Sequence, residues 1–326
     1  MIYYFIFAFL VVFNLCFFSN VIAKKTKLID YPHKDKIHTK PTPLVGGIIL
    51  LTPFLVSIFA QYNDDKASLL YSLYLYIFLI FLIGLIDDKV ELNAYNKILF
   101  LILVSVLFLF IDKSFVIEKI YFQTFDKEYY FGKSKFLVTL LCIILLFIAI
   151  NMADGINGLI ILIVLISLII FNLIFKSLNF NILSILMIIT LVILFFFNYS
   201  GKLFLGDSGA SLLASYLIYL TIYENYNYKI DVFKVISPFM VIGFDMVRLF
   251  FIRILNKKNP FKRDNMHFHH ILYANFGLNL ALTVYIFLSF TPIIINHLFG
   301  INILLLILLI IAIYFFLLIK IKIKIN

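Results

Sequence analysis

The sequence predicts an all-α polytopic membrane protein, with residues 1–326 forming a single integral membrane domain. Of its 326 residues, 64% are hydrophobic and only 13% are charged, and the mean hydropathy is +1.09. Soluble domains carry about 25% charged residues, so this composition is typical of a chain embedded in lipid. Apolar runs recur along the chain, and the segments between them are too short to form a soluble domain.

Eleven apolar segments have about the length that an α-helix needs to cross the hydrocarbon core. The first has no basic stretch before it and no small-residue cleavage site after it, so we expect a retained helix rather than a cleaved signal peptide. The eighth is short and rich in Ser, Ala and Tyr, which leaves ten or eleven crossings. The segments span approximately residues 2–22, 44–61, 69–86, 97–112, 135–152, 156–176, 181–198, 208–223, 232–252, 278–296 and 299–319.

Two of the connections have a recognisable pattern. Only Ala153-Asp154-Gly155 separates the fifth segment from the sixth, which predicts a tight reversal of the chain. The connection 113–135 contains alternating aromatic residues. This alternation predicts a small amphipathic hairpin that lies on the outer face of the membrane.

The basic residues are distributed unequally between the two sides of the predicted helices. The net charge is +10, and the connections on one side hold 18 Lys and Arg residues against 9 on the other. The positive-inside rule makes the richer side cytoplasmic, and this distribution argues against nucleic-acid binding. Cys16 and Cys142 fall within apolar segments, so we expect buried thiols and no disulfide.

Three acidic segments lie at ends of the predicted spans, all on the predicted cytoplasmic side. They are residues 85–89, 151–158 and 205–209. Carboxylates at the edge of a membrane span are by default a functional-site hypothesis. In the first segment, Asp87 and Asp88 point about 100° apart on a helix, so one can face a metal or phosphate while the other holds a partner. A solvated helix end is the alternative interpretation of this pair.

The second and third acidic segments also allow two interpretations each. Asn151, Asp154 and Asn157 recur every three residues, and their oxygen atoms are hard donors that suit Mg²⁺. A helix connector without chemistry would show the same spacing. Asp207, at the start of the eighth predicted span, is either an N-cap or part of an anion site at a helix N-terminus.

His267, His269 and His270 form a histidine-rich tract in a predicted basic loop. Zinc binding is one interpretation of such a tract. No Cys lies nearby and the spacing does not suit ligation from one helix face, so hydrogen-bond donors to phosphate are the favoured interpretation. Asp245 and Arg248 are three residues apart, which predicts a helical ion pair. The basic residues of the loop are Lys257, Lys258, Lys262 and Arg263.

Together, these motifs resemble those of the polyprenyl-phosphate N-acetylhexosaminyl-1-phosphate transferases. The resemblance covers roughly residues 25–280, and the joint occurrence of five motifs in one order is what makes it specific. It implies transfer of a sugar-1-phosphate from a UDP-N-acetylhexosamine to undecaprenyl phosphate, with release of UMP. The motifs are PTPLVGG at 41–47, Asp87-Asp88, NMADGINGL at 151–159, LGDSG at 205–209 and HFHH at 267–270, with the stretch 244–270.

The resemblance also implies a role for each matching residue. Mg²⁺ is the implied cofactor, with Mn²⁺ as an alternative. Asn157 stands where many bacterial members have Asp, and the link from Asn198 to Asp207 is shortened and lacks the usual proline. The implied catalytic residues are Asp87, Asp88 and Asp154, and the implied metal ligands are Asn151 and Asp207. The implied substrate-binding residues are Lys97, Asn157, Asn198, His267, His269 and His270.

The same motifs indicate a branch of the family and a location. PTPLVGG and His-Phe-His-His are closer to the branch that uses UDP-GlcNAc or related sugars than to the muramoyl-pentapeptide branch. The implied partners are undecaprenyl phosphate, a UDP-N-acetylhexosamine and membrane lipids but no nucleic acid, and a homodimer is left open. The implied location is the bacterial cytoplasmic (inner) membrane, with several crossings and the active site on the cytoplasmic face.

A membrane transporter with a carboxylate-lined ion site is the alternative function, because membrane carboxylates also mark ion pathways. Transport would favour charges near the bilayer midplane and two halves with paired broken helices. In this chain the charges cluster at one predicted face and no halves are alike. An inactive scaffold of the same fold is disfavoured because every acidic motif is intact.

Overall fold

The computed structural model describes residues 2–32, 38–60, 67–175, 182–227, 230–260 and 265–321. Six helices in these ranges are long and apolar enough to cross a membrane by length and composition. The first two helices, bent by 67° at the break between them, would make a seventh if they form one span. The predicted class, an α-helical polytopic membrane protein, is confirmed, whereas eleven crossings stay a prediction.

The described residues contain fourteen α-helices and two pairs of short strands. The helices are α1 (Ile2–Phe17), α2 (Ser19–Thr26), α3 (Gly46–Leu50), α4 (Thr52–Ala60), α5 (Ala67–Val90), α6 (Ala94–Ile111), α7 (Lys135–Ala153), α8 (Leu159–Ile170), α9 (Ile182–Tyr199), α10 (Gly206–Asn227), α11 (Val232–Ile236), α12 (Met240–Leu255), α13 (Phe268–Phe299) and α14 (Ile303–Lys320). The strands are β1 (Ile29–Asp30), β2 (Thr42–Pro43), β3 (Lys119–Phe122) and β4 (Lys127–Tyr130).

The chain divides into two compact units, and the first comprises Met1–Phe115 and Ile160–Leu220. In this unit α1 packs against α9 and α4, and α5 packs against α6. Buried polar side chains generally need a hydrogen-bond partner, and the hydroxyls of Ser57 and Tyr74 provide one for each other at 2.9 Å. The apolar faces that remain exposed are expected to contact lipid.

Local capping explains where α5 ends and α6 begins. Glu91, directly after α5, has a left-handed φ of 52°, which turns the chain out of the helix. The side chain of Asp87 then accepts the N–H of Leu92 at 2.7 Å. Asn93 is the N-cap of α6, and its Oδ1 accepts the N–H of Asn96 at 2.8 Å. These bonds leave Lys97 in the first turn of α6, close to Asp87.

The segment that precedes α10 is held by the motif at residues 41–47. β1 and β2 form an antiparallel pair, and the carbonyl of Pro43 accepts the N–H of Phe204 at 2.8 Å. The N–H of Gly46 donates to the Phe204 carbonyl and that of Gly47 to the Leu205 carbonyl, each at 3.1 Å. The two residues directly before α10 are therefore fixed by backbone hydrogen bonds to the β2–α3 segment.

The second unit comprises Val116–Leu159 and Thr221–Asn326. Here α7 packs against α12, and α13 packs against α12 and α14. β3 and β4 form an antiparallel hairpin, with Lys119 opposite Tyr130. This hairpin falls within the predicted range 113–135; that it lies on the outer face of the membrane stays a prediction.

The structure places two functional segments differently from the sequence prediction. α13 begins at Phe268 rather than near residue 278, so His269 and His270 lie in the first turn of a helix and not in a loop. The apolar pattern conceals this start because residues 269–279 include several polar side chains, and because Gly277, with φ 78°, interrupts the helix. α10 begins at Gly206, so Asp207 lies inside its first turn. Lys262 and Arg263 lie outside the described residues.

The connection predicted between the fifth and sixth spans is short, as expected. α7 ends at Ala153 and α8 begins at Leu159, so only residues 154–158 connect them. Asp154 leaves the helical conformation (φ −76°, ψ 53°), and Gly158 has a left-handed φ of 84°. A side chain other than hydrogen is disfavoured at such a φ, which explains the glycine. Asn157 lies in this connection rather than on a helix.

Candidate functional site

Four predicted site residues meet in the first unit: Asp87, Asp88, Lys97 and Asp207, here called the acidic cluster. Lys97 joins two of the carboxylates. Its Nζ lies 2.7 Å from Asp87 Oδ2 and also forms an ion pair with Asp207 Oδ1. Asp87 is only 7% exposed, so this pair is largely shielded from water. An ion pair that is shielded from water is stronger than one on the surface, because the local dielectric is lower.

Asp88 caps the N-terminus of α10. Its Oδ1 accepts the N–H of Asp207 at 2.6 Å, and its Oδ2 accepts the N–H of Ser208 at 3.0 Å. The first N–H groups of a helix have no partner within the helix, and the helix dipole favours negative charge there. The sequence suggests Asp207 as the N-cap or an external anion as the ligand. In the structure the capping anion is instead the carboxylate of Asp88, which comes from α5.

Glycines allow this close approach. A Cβ added to Gly84 of α5 would lie 2.5 Å from the Asp207 carbonyl oxygen, and one added to Gly47 would overlap Ser208 Oγ. A Cβ on Gly206 would lie 2.7 Å from Asp88 Oδ2, and the φ of Gly206 is 72°. Real Cβ atoms do not approach other atoms so closely, so the contacts that form the cluster depend on these glycines.

Burial raises the pKa of Asp88 to about 6, even though the two backbone N–H donors favour its ionised form. The nearby carboxylate of Asp207 acts in the same direction as burial. Asp88 lies beyond residue 86, where the predicted span ends. A carboxylate with this pKa is largely ionised at neutral pH but binds a proton readily, which is the property required of a general base.

Asn198 also lies in the first unit, at the end of α9. Its Nδ2 donates to the Leu203 carbonyl at 3.0 Å, and the side chain is buried. This bond closes the turn that leads from α9 toward α10. The structure therefore assigns Asn198 a role in shaping that turn; substrate binding by this residue stays a prediction.

The histidines lie in the second unit, around the buried carboxylate of Asp245. Asp245 Oδ2 lies 2.8 Å from His267 Nδ1 and accepts the N–H of Phe268 at 3.1 Å. Its Oδ1 accepts hydrogen bonds from Arg248 Nη2 at 2.7 Å and from the Tyr314 hydroxyl at 2.8 Å. The predicted Asp245–Arg248 ion pair is confirmed. Nothing in the sequence pattern indicates Tyr314, because it stands in an apolar helix 69 residues away.

The three histidine rings pack against one another and against the α7–α8 connection. The rings of His267 and His269 are nearly parallel (14°) with centroids 5.3 Å apart, and the His269 and His270 centroids are 4.3 Å apart. A Cβ on Gly155 would overlap His269 Nε2 and would lie 2.7 Å from His270 Nε2. The rings of His269 and His270 can therefore lie this close to the α7–α8 connection only because residue 155 is a glycine.

Asn151, Asp154 and Asn157 belong to the second unit as well. Asn151 Nδ2 donates to the Phe147 carbonyl of its own helix at 2.9 Å. Its Oδ1 is buried and accepts no hydrogen bond from the described part of the chain. Asp154 and Asn157 are half-buried in the connection that contains Gly155. These residues thus share one loop region with the histidines, whereas Asp207, the other implied metal ligand, belongs to the first unit.

Two groups of side chains bring possible metal-ligand atoms close together. In the first unit, oxygens of Asp87 and Asp207 already converge on the ammonium of Lys97, so their shared position suits positive charge. Such hard oxygen donors fit Mg²⁺. Asn151 Oδ1, in the second unit, is a donor of the same kind and has no hydrogen-bond partner among the described residues. In the second unit, ligand atoms of Asp245, His267 and His269 lie within 4.8 Å of one another. Because Arg248 and Tyr314 already donate to Asp245, we interpret that group as a hydrogen-bond network rather than a metal centre.

Comparison with known proteins shows what these residues are similar to. The model of glycosyl transferase family 4 matches residues 70–225. A Bacillus subtilis (strain 168) protein named probable undecaprenyl-phosphate N-acetylglucosaminyl 1-phosphate transferase is 28% identical over 272 residues, which cover 81% of this chain and 74% of the relative.

Two further relatives are named undecaprenyl-phosphate alpha-N-acetylglucosaminyl 1-phosphate transferase. The one from Thermotoga maritima is 29% identical over 79% of this chain and 77% of its own length. The one from Escherichia coli (strain K12) is 26% identical over 78% of this chain and 72% of its own length. The matched region 70–225 contains the acidic cluster and the α7–α8 connection. The resemblance seen in the motifs is confirmed: the chain is similar to glycosyl transferase family 4 over residues 70–225 and to these named transferases over about four fifths of its length.

Proposed function

We propose that this protein transfers N-acetylglucosamine-1-phosphate from UDP-GlcNAc to undecaprenyl phosphate and releases UMP. The observation that carries the proposal is the acidic cluster, in which three carboxylates and a lysine meet at a helix N-terminus in a chain similar to this family. The names of the relatives supply the sugar and the lipid. The reaction would be the first membrane step in building a cell-envelope glycan such as O-antigen or teichoic acid.

In the proposed reaction, an oxygen of the lipid phosphate attacks the β-phosphorus of UDP-GlcNAc. A new O–P bond forms there, and the bond between the β-phosphorus and the oxygen bridging to the α-phosphate breaks. The bridging oxygen leaves with UMP. Phosphoryl transfer asks the protein mainly for positioning and for neutralisation of charge on the phosphate oxygens.

Asp88, with Asp87 beside it, is the proposed group that aligns or deprotonates the lipid phosphate. The pKa of about 6 at Asp88 is close to the second pKa of a phosphate monoester, also about 6, so no stronger base is needed. We propose Asp154 as a further catalytic residue, from the α7–α8 connection. Lys97 is proposed to supply positive charge for the diphosphate, and its ammonium lies within the cluster, beside Asp87 and Asp207.

The histidines and the α7–α8 connection are proposed to bind the UDP-sugar. Asn157 would contact the uridine, and His267, His269 and His270 would bind the diphosphate or the sugar. The proposed metal ligands are Asp207 in the first unit and Asn151 in the second, and the metal would be Mg²⁺, or Mn²⁺ in its place. When bound, the ion neutralises charge that develops on the diphosphate.

We also propose the cytoplasmic face of the bacterial inner membrane as the location of the site. The 18 basic residues on the side that carries the acidic segments support this orientation. The transporter alternative has no support, because the family and the names of the relatives describe a transferase.

The test is a reconstituted transfer assay. Purified protein in detergent is incubated with undecaprenyl phosphate, Mg²⁺ and, separately, UDP-GlcNAc, UDP-GalNAc, UDP-Glc and UDP-MurNAc-pentapeptide. We expect UMP release and a lipid-linked product with UDP-GlcNAc, and loss of both when EDTA chelates the metal or when Asp207 is replaced by Ala. A folded protein that releases no UMP from any of these donors would refute the proposal, and full activity in excess EDTA would refute its metal dependence.

A further inference from the structure

The carboxylate of Asp245 has more hydrogen-bond partners than a helical ion pair requires. It is 2% exposed, and hydrogen bonds from four different residues reach its two oxygens. Arg248, one of these donors, also donates from Nη2 to the Met266 carbonyl at 2.8 Å. The residue directly before His267 is thereby fixed to α12 as well. These hydrogen bonds fix the position of the Asp245 carboxylate, and the His267 ring is hydrogen-bonded to it.

This arrangement determines which ring nitrogen of His267 carries the proton. A carboxylate that pairs with a guanidinium has only acceptor atoms, so a hydrogen bond to it requires a donor. His267 Nδ1 lies 2.8 Å from Asp245 Oδ2 and must therefore bear the hydrogen. Nε2 is then the nitrogen that remains for a ligand. The parallel ring of His269 fixes the plane of His267 in addition.

We propose that Asp245 is a positioning residue, which holds His267 in the Nδ1–H tautomer so that the unprotonated Nε2 accepts a hydrogen bond from a hydroxyl or N–H group of the UDP-sugar rather than donating to its phosphates. The proposal rests on the proposed function for the identity of the ligand. Asp245 itself does not touch the substrate; it acts through His267. Partners of this kind orient a histidine by bonding the ring nitrogen that does not contact the ligand.

The first test is spectroscopic and needs no substrate. The protein is labelled with ¹⁵N-histidine, and the ring signals of His267 are assigned by their loss in His267→Gln. We expect a protonated Nδ1 and an unprotonated Nε2 in the neutral ring of the wild type. In Asp245→Asn, the amide can present either a donor or an acceptor, so we expect the single tautomer to be lost. Tyr314→Phe is the matched control, since it removes a donor to Oδ1 but leaves the Oδ2–Nδ1 bond.

The second test is kinetic. Losing the orientation of His267 should raise KM for UDP-GlcNAc by about fivefold, the effect of one hydrogen bond of roughly 1 kcal/mol, while KM for undecaprenyl phosphate stays unchanged. Tyr314→Phe should retain most of the wild-type affinity. A merely structural role for Asp245 would change both KM values, or would lower the amount of folded protein without selecting one substrate.

Two results would overturn the proposal. One is a wild-type His267 whose proton resides on Nε2, and this result can be obtained even if Asp245→Asn fails to fold. The other is a folded Asp245→Asn protein that keeps both the Nδ1–H tautomer and the wild-type KM. If the tautomer is as expected but no UDP-sugar is turned over, the orientation of His267 stands and the proposed function fails instead.

Discussion

Asp88 caps the N-terminus of α10 and is also the proposed proton acceptor of the site. Its carboxylate accepts two N–H groups of α10, and burial raises its pKa to about 6. A helix cap on the surface would be ionised at all pH values near neutrality, whereas this one can exchange a proton there. The same group can therefore stabilise α10 and respond to the charge of a phosphate that approaches it.

The pKa of Asp88 predicts how the stability of the protein depends on pH. Between pH 3.8 and about 6, the folded chain holds a proton on Asp88 that the unfolded chain has lost. The free energy of unfolding therefore falls as pH rises through this window. We expect the melting temperature of wild type, relative to Asp88→Asn in the same detergent, to decrease from pH 4 to pH 7. Melting temperatures that run parallel across this range would contradict the raised pKa.

Asn157 provides a test of the nucleotide side of the site. If it contacts uridine equally in the ground state and the transition state, Asn157→Ala should raise KM for UDP-GlcNAc with kcat unchanged. A hydrogen bond of about 1 kcal/mol predicts a rise of roughly fivefold. Steady-state kinetics measures both constants. Asn14→Ala, which removes an exposed amide from α1, is the control and should leave KM unaltered.

Among the helices, the first turn of α10 is only partly predictable from sequence. The motif at 205–209 identifies Asp207 and a helix start, and both are present. The capping of this turn by Asp88 cannot be read from the sequence, because it depends on the distance between α5 and α10. Gly84 is the residue that permits this distance: a glycine inside a membrane helix allows another backbone to approach closely, and here that backbone is Asp207–Ser208.

Gly84→Ala tests this packing. The added Cβ would meet backbone atoms of Asp207 and Ser208 at 2.5–2.6 Å, and backbone cannot move aside by a change of rotamer. We expect α10 to be displaced from Asp88, with a lower melting temperature and a loss of transfer activity. Gly243→Ala is the matched control, since Gly243 also lies in a helix but a Cβ there meets nothing within 4 Å. Its activity and stability should equal or exceed those of wild type; equal behaviour of the two variants would contradict the close contact.

The start of α13 shows why the histidine site is harder to predict. Hydropathy identifies the apolar part of this helix but not its polar first turns, and the tract at 267–270 therefore resembles a loop. The local Asp245–Arg248 pair is predictable from its spacing of three residues. Its partners His267 and Tyr314 come from distant parts of the chain, and only tertiary packing brings them to Asp245.

For the molecule as a whole, composition is sufficient to predict the class, because a chain with 64% hydrophobic and 13% charged residues is unsuited to water. The number of crossings is not determined in this way. Short or bent helices such as α1–α2 and α3–α4 have suitable composition but not the length of one straight span. Eleven crossings, a single domain and a homodimer stay predictions.

The predicted orientation can be tested by cysteine labelling. In a variant without Cys16 and Cys142, single cysteines replace Lys127 of the hairpin and Lys257 after α12, both of which are exposed. A membrane-impermeant maleimide should label Lys127→Cys in intact cells and Lys257→Cys only after the cells are opened. Labelling of both positions from the same side would refute the crossing pattern from which we inferred a cytoplasmic site.

Whether the acidic cluster performs phosphoryl transfer can be decided from the kcat of Asp88→Asn. Asn keeps the shape of the side chain and one acceptor oxygen for α10, but it removes the charge and the proton acceptor. A positioned general base contributes about 100-fold or more to a rate, so kcat should fall by at least that factor while KM for UDP-GlcNAc changes little. A folded Asp88→Asn protein whose kcat stays within about threefold of wild type would contradict a catalytic role for the cluster.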